Sequence, residues 1–177
     1  TPEDEEVGLQ VMPSVIYKQS QVAVKYLRKL MDGKLFNNPK DYEVLARIVD
    51  YCTASGDVIL DFFAGSGSTV EAVFQLNRHA KGNRQIVFVQ LPEEIEAKSA
   101  AANAGYRTIS DLCKERVRRA SNKIKKEVEN ERNLFSNGVP DLGFKVFTLE
   151  PSNFKIWRTD VIETEEELKR QMEAFVD

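Results

Sequence analysis

Apolar residues recur at three- and four-residue spacing in some stretches of this chain and run almost unbroken in others. Between residues 19 and 30, Val22, Val24, Leu27 and Leu30, with Met31 beyond, fit a helical stripe that Asp32-Gly33 should end. Residues 36–40, Phe-Asn-Asn-Pro-Lys, read as a loop, because Asn and Pro favour turns and Pro restricts the residue before it. Asp41 is placed as the N-cap of a second helix carrying Val44, Leu45, Ile48, Val49 and Cys52, which should stop near Ser55-Gly56. Residues 57–63 read as a buried strand whose near-continuous apolarity predicts a parallel sheet covered on both faces. A Gly-rich turn over 64–69 leads into a helix over 70–76, with Val70, Val73, Phe74 and Leu76 as its apolar side. After a polar turn at 79–84, residues 85–90 form another buried strand. Strand, helix, strand is a βαβ unit with an expected right-handed crossover.

Residues 91–105 begin with a proline and become Ala-rich. The longest predicted helix covers 110–130. Ile109, Leu112, Cys113, Val117, Ala120, Ile124 and Val128 line its apolar side, and Thr108 to Asp111 reads as a capping box. Residues 136–140 break the pattern. Residues 144–149 and 154–157 then read as two strands of a β-hairpin around a Pro-containing turn, and 168–176 as a short acidic helix. The expected organisation is a tail or linker over 1–17, an α/β ligand-binding part over 18–135, and a hairpin with an acidic helix over 136–177, suited to a subunit contact.

Composition narrows the class. The 177 residues make about one domain, and 42% hydrophobic residues are enough for a core. The longest apolar runs fall far short of 18 residues, so no membrane-spanning helix is expected. Residues 1–6 have neither the positive start nor the apolar stretch of a signal peptide, and the expected location is the cytoplasm. Two cysteines, Cys52 and Cys113, exclude a disulfide scaffold and a cysteine-based zinc cluster; both are expected to be buried thiols on helix faces. His79 is expected at the surface, and no metal site is implied. The net charge of −3 is uneven: residues 3–6 and 160–177 are acidic, whereas residues 7–159 carry 23 bases against 17 acids, a net of +6. A basic middle suits a nucleic-acid partner as well as a solvated surface.

The segment from Asp61 to Thr69, Asp-Phe-Phe-Ala-Gly-Ser-Gly-Ser-Thr, carries the chemistry. Its glycines let the backbone turn sharply and let a ligand approach, and the following helix offers amides to an anion. The Lys of a nucleotide phosphate loop is absent, and the third Gly of a dinucleotide fingerprint is replaced by Val70. Asp61, at the end of the first strand, favours a ligand carrying a cation. S-adenosylmethionine has an ammonium, a sulfonium and a carboxylate. Asp61 can bind the ammonium side while loop and helix amides take the carboxylate. Alternatively, Asp61 only caps the turn.

This segment resembles the cofactor motif of amino-group DNA methyltransferases, in the group where that motif follows the catalytic one. Residues 36–40 resemble the companion motif that completes the site. Together with Val-Gln-Leu-Pro-Glu at 89–93, the basic 115–119 helix and residues 143–157, the chain over 18–177 resembles the C-terminal part of the modification subunit of type III restriction-modification systems. The resemblance implies a partial Rossmann-like class I S-adenosylmethionine-dependent methyltransferase fold. It implies that Gly65, Ser66, Gly67 and Thr69 surround the methionine part and that Phe63 packs near the adenosine. Phe36, Asn37, Pro39 and Lys40 close the other side. Where many relatives carry a ribose-binding acid after the second strand, Gln90 stands here, with Glu93 and Glu94 just beyond.

The Asp/Asn/Ser-Pro-Pro-Tyr/Phe segment by which such enzymes hold the amine of a flipped base is missing, since no two of the six prolines adjoin. No catalytic residue is therefore assigned. The resemblance places that segment upstream of Thr1 and makes the chain a C-terminal fragment that does not methylate DNA alone. The basic residues Arg116, Arg118, Arg119, Lys123, Lys125 and Lys126 are candidates for DNA-backbone contact, or else a solvated helix face. The implied function is S-adenosylmethionine binding within an adenine N6-methyltransferase. Its implied partners are duplex DNA, a restriction subunit and a second modification subunit. Two other readings remain open: a docking or dimerisation module without cofactor, or another Rossmann-like nucleotide-dependent enzyme.

Overall fold

A computed structural model describes residues 12–79, 82–130, 140–150 and 162–173. The chain divides into two compact units, Thr1–Gly143 and Phe144–Asp177.

In the first unit, helix α1 (Ser20–Leu30) buries Ala23 and Leu27, with Met31 buried just beyond its end. It ends as the sequence indicates, but Asp32, not Gly33, takes the left-handed conformation at φ 56°, and the Gly33 amide donates back to the Arg28 carbonyl. Asp tolerates this conformation because its short polar side chain crowds the backbone little. Helix α2 (Tyr42–Cys52) starts at the predicted cap: Asp41 accepts from the amides of Glu43 and Val44. Its last residue, Cys52, is exposed, contrary to expectation. The last turn of α2 leaves the covered surface, so helical periodicity there does not mean burial.

Strands β1 (Val58–Asp61) and β2 (Gln85–Phe88) pair in parallel, with Val58 opposite Gln85 and Asp61 opposite Phe88. Helix α3 (Ser68–His79) connects them and is covered on most of its circumference. The two-face coverage expected of the sheet is corrected: Val58, Leu60 and Val87 are exposed. With two strands among the described residues, alternate side chains face α3 and its neighbours, and the others face outward. His79 is exposed, as expected, although it ends α3 rather than lying in a turn.

Beyond β2, residues 93–95 run antiparallel to 107–109 through an isolated bridge between Glu94 and Thr108, flanking the short helix α4 (Ala100–Asn103). This pairing sets the start of helix α5 (Ile109–Asn130) beside the end of β2. The predicted capping box is present: the Asp111 amide donates to Thr108 Oγ1 at 3.1 Å, and the Thr108 amide donates to Asp111 Oδ2 at 3.2 Å. Leu112, Cys113, Val117, Ala120, Ile124 and Val128 of α5 are buried, as their spacing indicates. Leu27, Met31, Ala101 and Leu112 form a core cluster against which Phe36 packs.

In the second unit, helix α6 (Glu165–Glu173) begins earlier than the pattern suggests, because Thr164 and Glu167 form a capping box. Residues 144–149, the first expected hairpin arm, carry no regular strand pairing within the described residues, and Phe147 and Leu149 are exposed. The other predicted hairpin arm, 154–157, lies outside the described residues. No helix among the described residues is long and apolar enough to cross a membrane.

Candidate functional site

The site lies where the two parallel strands end at their carboxyl ends, the usual ligand crevice of a parallel α/β sheet. Three segments meet there: the 61–69 turn, the 36–40 loop and the residues following β2.

The turn is built by its own hydrogen bonds. Asp61 Oδ1 accepts from the Phe63 amide at 3.0 Å, so the carboxylate does cap the turn. The Ala64 amide donates to the Val89 carbonyl at 3.0 Å, and the Gly67 amide to the Ala64 carbonyl at 2.7 Å. Gly65 and Gly67 have φ of 55° and 79°. Gln90, expected from the resemblance to stand near a ribose, accepts from the Gly65 amide through Oε1 at 2.7 Å. Its Nε2 donates to the Leu91 carbonyl at 3.1 Å. Gln90 therefore braces the turn across the strand ends, with the exposed Glu93 and Glu94 just beyond.

The 36–40 loop reaches the turn at two points. The tip of the Phe36 ring lies 3.8 Å from where a side chain at Gly65 would begin. The Lys40 carbonyl accepts from Ser68 Oγ at 2.9 Å. Phe36 is half-buried and Pro39 buried, whereas the side chains of Asn37 and Lys40 face solvent. Phe63, 86% exposed, is the most open aromatic of the segment.

Not every expected ligand contact faces outward. Ser66 and Gly67 are buried, and the Ser66 hydroxyl accepts from Arg116 at 2.8 Å. A side chain on Gly67 would meet Cys113 Sγ at 3.1 Å and Val117 Cγ2 at 3.2 Å. These two residues turn toward α5, while Gly65, half-exposed, and Phe63 border the open side. Thr69 is half-buried.

The basic helix also changes meaning. Arg116 is corrected as a DNA-contact candidate: its side chain is 1% exposed and paired with the equally buried Glu71 at 2.8 Å. Arg119 donates to Glu115, Asp32 and the Leu30 carbonyl, bracing the end of α1. Lys123 pairs with Glu127 at 2.8 Å and lies over the Tyr26 ring. Arg118, Lys125 and Lys126 remain on the exposed side of α5, with Arg118 3.8 Å from Glu115.

Sequence reasoning missed Glu71, Tyr26 and Ser68. Burial and the Glu71 carboxylate hold the Tyr26 hydroxyl well above its usual pKa. The available signal was Arg116 itself, three residues after Cys113 and four before Ala120, inside the apolar stripe. A buried cation there requires a buried acid. Among the described residues, no group of three or more His, Cys, Asp or Glu could hold a metal ion.

A sequence-family model described as DNA methylase matches residues 9–97, half of the chain. The chain is 37% identical over 144 residues to the type III restriction-modification enzyme EcoP15I Mod subunit of Escherichia coli, which covers 80% of this chain and 20% of that protein. It is 34% identical over 136 residues to the EcoPI Mod subunit of Escherichia phage P1, covering 75% of this chain and 20% of that one. It is also 34% identical over 124 residues to the type II methyltransferase M.KpnI of Klebsiella pneumoniae, covering 70% of this chain and 26% of that protein. The chain thus spans about a fifth to a quarter of the length of these curated relatives.

Proposed function

The chain belongs to the DNA methylase family, and on that premise we propose that it is the S-adenosylmethionine-binding part of a DNA adenine N6-methyltransferase of the type III modification-subunit kind. The observation that carries the proposal is the meeting of the 36–40 loop, the Gly-rich turn and Gln90 at the carboxyl ends of two parallel strands. In this proposal the strands and α3 are part of a Rossmann-like unit.

The residues fit the donor. Among the described residues, no heavy atom beyond its own chain neighbours lies closer than 3.8 Å to the side-chain position of Gly65, so the backbone there can be approached closely. The N-terminus of α3 favours a carboxylate. Asp61 has one oxygen on the Phe63 amide and offers the other to an ammonium. The exposed Phe63 ring supplies a face for adenine, and Phe36, anchored in the core cluster, closes the opposite side. Gln90, Glu93 or Glu94 takes the ribose hydroxyls. S-adenosylmethionine, when bound, supplies a methyl group activated on a sulfonium. This chain's contribution is to hold and orient that donor.

The acceptor amine needs groups that this chain's own sequence lacks, and in this proposal the chain alone transfers no methyl group. Duplex DNA, a restriction subunit and a second modification subunit are the proposed partners, supported by the similarity to type III Mod subunits. Exposed Arg118, Lys125 and Lys126 are the proposed backbone contacts.

Titration calorimetry with S-adenosylhomocysteine, and thermal unfolding with that ligand or with NAD, test the proposal. Binding should saturate at one site per chain. Ligand at a hundred times its dissociation constant should add about 2.7 kcal/mol to stability. Gly65→Asn, which keeps the left-handed conformation but adds a side chain on the approach, should weaken binding by about tenfold or more. A folded protein giving no heat, or one stabilised by NAD alone, would overturn the proposal.

A further inference from the structure

Behind the Gly-rich turn lies a buried ion pair that reaches both loops of the site. Arg116 of α5 donates through Nε and Nη2 to Glu71 Oε2 of α3, at 3.2 and 2.8 Å. Its Nη1 donates to the Ser66 carbonyl at 3.3 Å, to Ser66 Oγ at 2.8 Å and to Ser68 Oγ at 2.6 Å. The other Glu71 oxygen accepts from the Tyr26 hydroxyl of α1. Ser68 Oγ passes the chain on to the Lys40 carbonyl at 2.9 Å. One hydrogen-bonded path therefore runs from α1 through α3 and α5 to the turn and on to the 36–40 loop.

Stability alone does not account for such a group. A buried ion pair often adds nothing over well-packed apolar residues of the same volume. An apolar side chain cannot address several oxygens of one turn from a fixed planar fork, and a guanidinium can. Glu71 anchors two of the guanidinium nitrogens, which aims the third at the turn. The turn needs this restraint because its glycines leave it many conformations.

We propose that Arg116, seated on Glu71, is a positioning residue for donor binding: it holds the 65–68 turn in its ligand-ready shape and, through Ser68, sets its distance from the 36–40 loop. The proposal rests on the assignment of these loops to S-adenosylmethionine. Arg116 acts through the turn and does not itself touch the ligand.

Three variants of the whole chain separate this role from plain stability. Ser68→Ala cuts the link between the turn and Lys40 while leaving the Arg116–Glu71 pair. Arg116→Lys keeps the charge and loses the fork. Ile124→Ala opens the core on the same helix away from the turn. Each is measured by calorimetry with S-adenosylhomocysteine, by thermal unfolding, and by amide hydrogen exchange of residues 65–68 without ligand. Ser68→Ala should bind about fivefold to tenfold more weakly, with its melting temperature within about 3 °C of the parent. Arg116→Lys should lose about tenfold or more in affinity and exchange the turn amides faster. Ile124→Ala should melt lower, yet bind with unchanged affinity at temperatures where it is folded. Parent-like affinity in Ser68→Ala, or affinity that falls in step with melting temperature across all three variants, would overturn the positioning role. Should Arg116→Lys fail to fold, Ser68→Ala decides alone. A parent protein that binds no S-adenosylhomocysteine would instead overturn the assignment of the loops, and the exchange rates would still report whether Arg116 restrains the turn.

Discussion

Gly65 and Gly67 stand two positions apart in one turn and have opposite surroundings. At Gly67 a side chain would collide with Cys113 and Val117 of α5, on a backbone at φ 79°. Gly67→Val is therefore expected to destabilise the fold by about 1–3 kcal/mol through overpacking, with left-handed strain in addition. Gly65→Asn should stay within about 1 kcal/mol of the parent. Urea unfolding of the two variants checks the contrast, and equal losses would contradict it. The motif marks both residues as glycine but cannot tell which borders the open side of the turn and which faces a helix more than forty residues later. The cysteines give the same lesson. Cys52 and Cys113 both sit in apolar stripes, yet only Cys113 is buried, and burial pushes its thiol up to about 11. Native protein should present one fast-reacting thiol, removed by Cys52→Ser; the second should react only on unfolding. Because the folded-state value of Cys113 is raised, its stabilising contribution is complete below the ordinary thiol pKa of about 8.5 and is lost as pH rises toward 11.

Elements were most legible where the start signal is local. Asp41 caps α2 with two amides and also accepts from Lys18 at 2.8 Å. Asp41→Ala should cost about 1 kcal/mol, read as a lower urea midpoint with an unchanged slope. Little change would show that the cap is replaceable by water. The Thr108–Asp111 box and the apolar stripe of α5 were readable for the same reason, since each depends on residues a few positions apart. Coverage of an element was not readable, because it depends on what lies across from it. The continuous apolarity of 57–63 correctly indicated parallel pairing, yet Leu60 and Val87 are exposed on a two-stranded sheet. The loop around Gln90 was legible only as a departure from a pattern; its brace on Gly65 needed the fold.

At the scale of the molecule, acids and bases that look like a surface tally join separate elements of the first unit. Arg116 ties α5 to Glu71 of α3, Arg78 ties α3 to Glu127 of α5, and Arg119 ties α5 to Asp32 at the end of α1. Charge counts placed Arg116 and Arg119 together in one basic helix face, and could not show that part of it turns inward. Acid should therefore loosen the helices against one another. Burial pushes the Glu127 carboxyl up, but Lys123 and Arg78 bring it net below the usual carboxylate range. Hydrogen bonds from Lys114 and Thr108 hold Asp111 low as well. A carboxylate lowered by folding stabilises above its unfolded value, about 4.3 for Glu and 3.9 for Asp, and loses that contribution as pH falls through its folded value. Urea stability should thus be level from pH 7 to about pH 5 with respect to these groups and decline below about pH 4.5. Glu127→Gln should lower stability at pH 7 by no more than about 1 kcal/mol, since solvent screens a side chain 34% exposed, and should reduce the acid-side decline. Stability that rose on acidification, or a decline identical in Glu127→Gln and the parent, would show that Glu127 does not join α3 to α5 energetically.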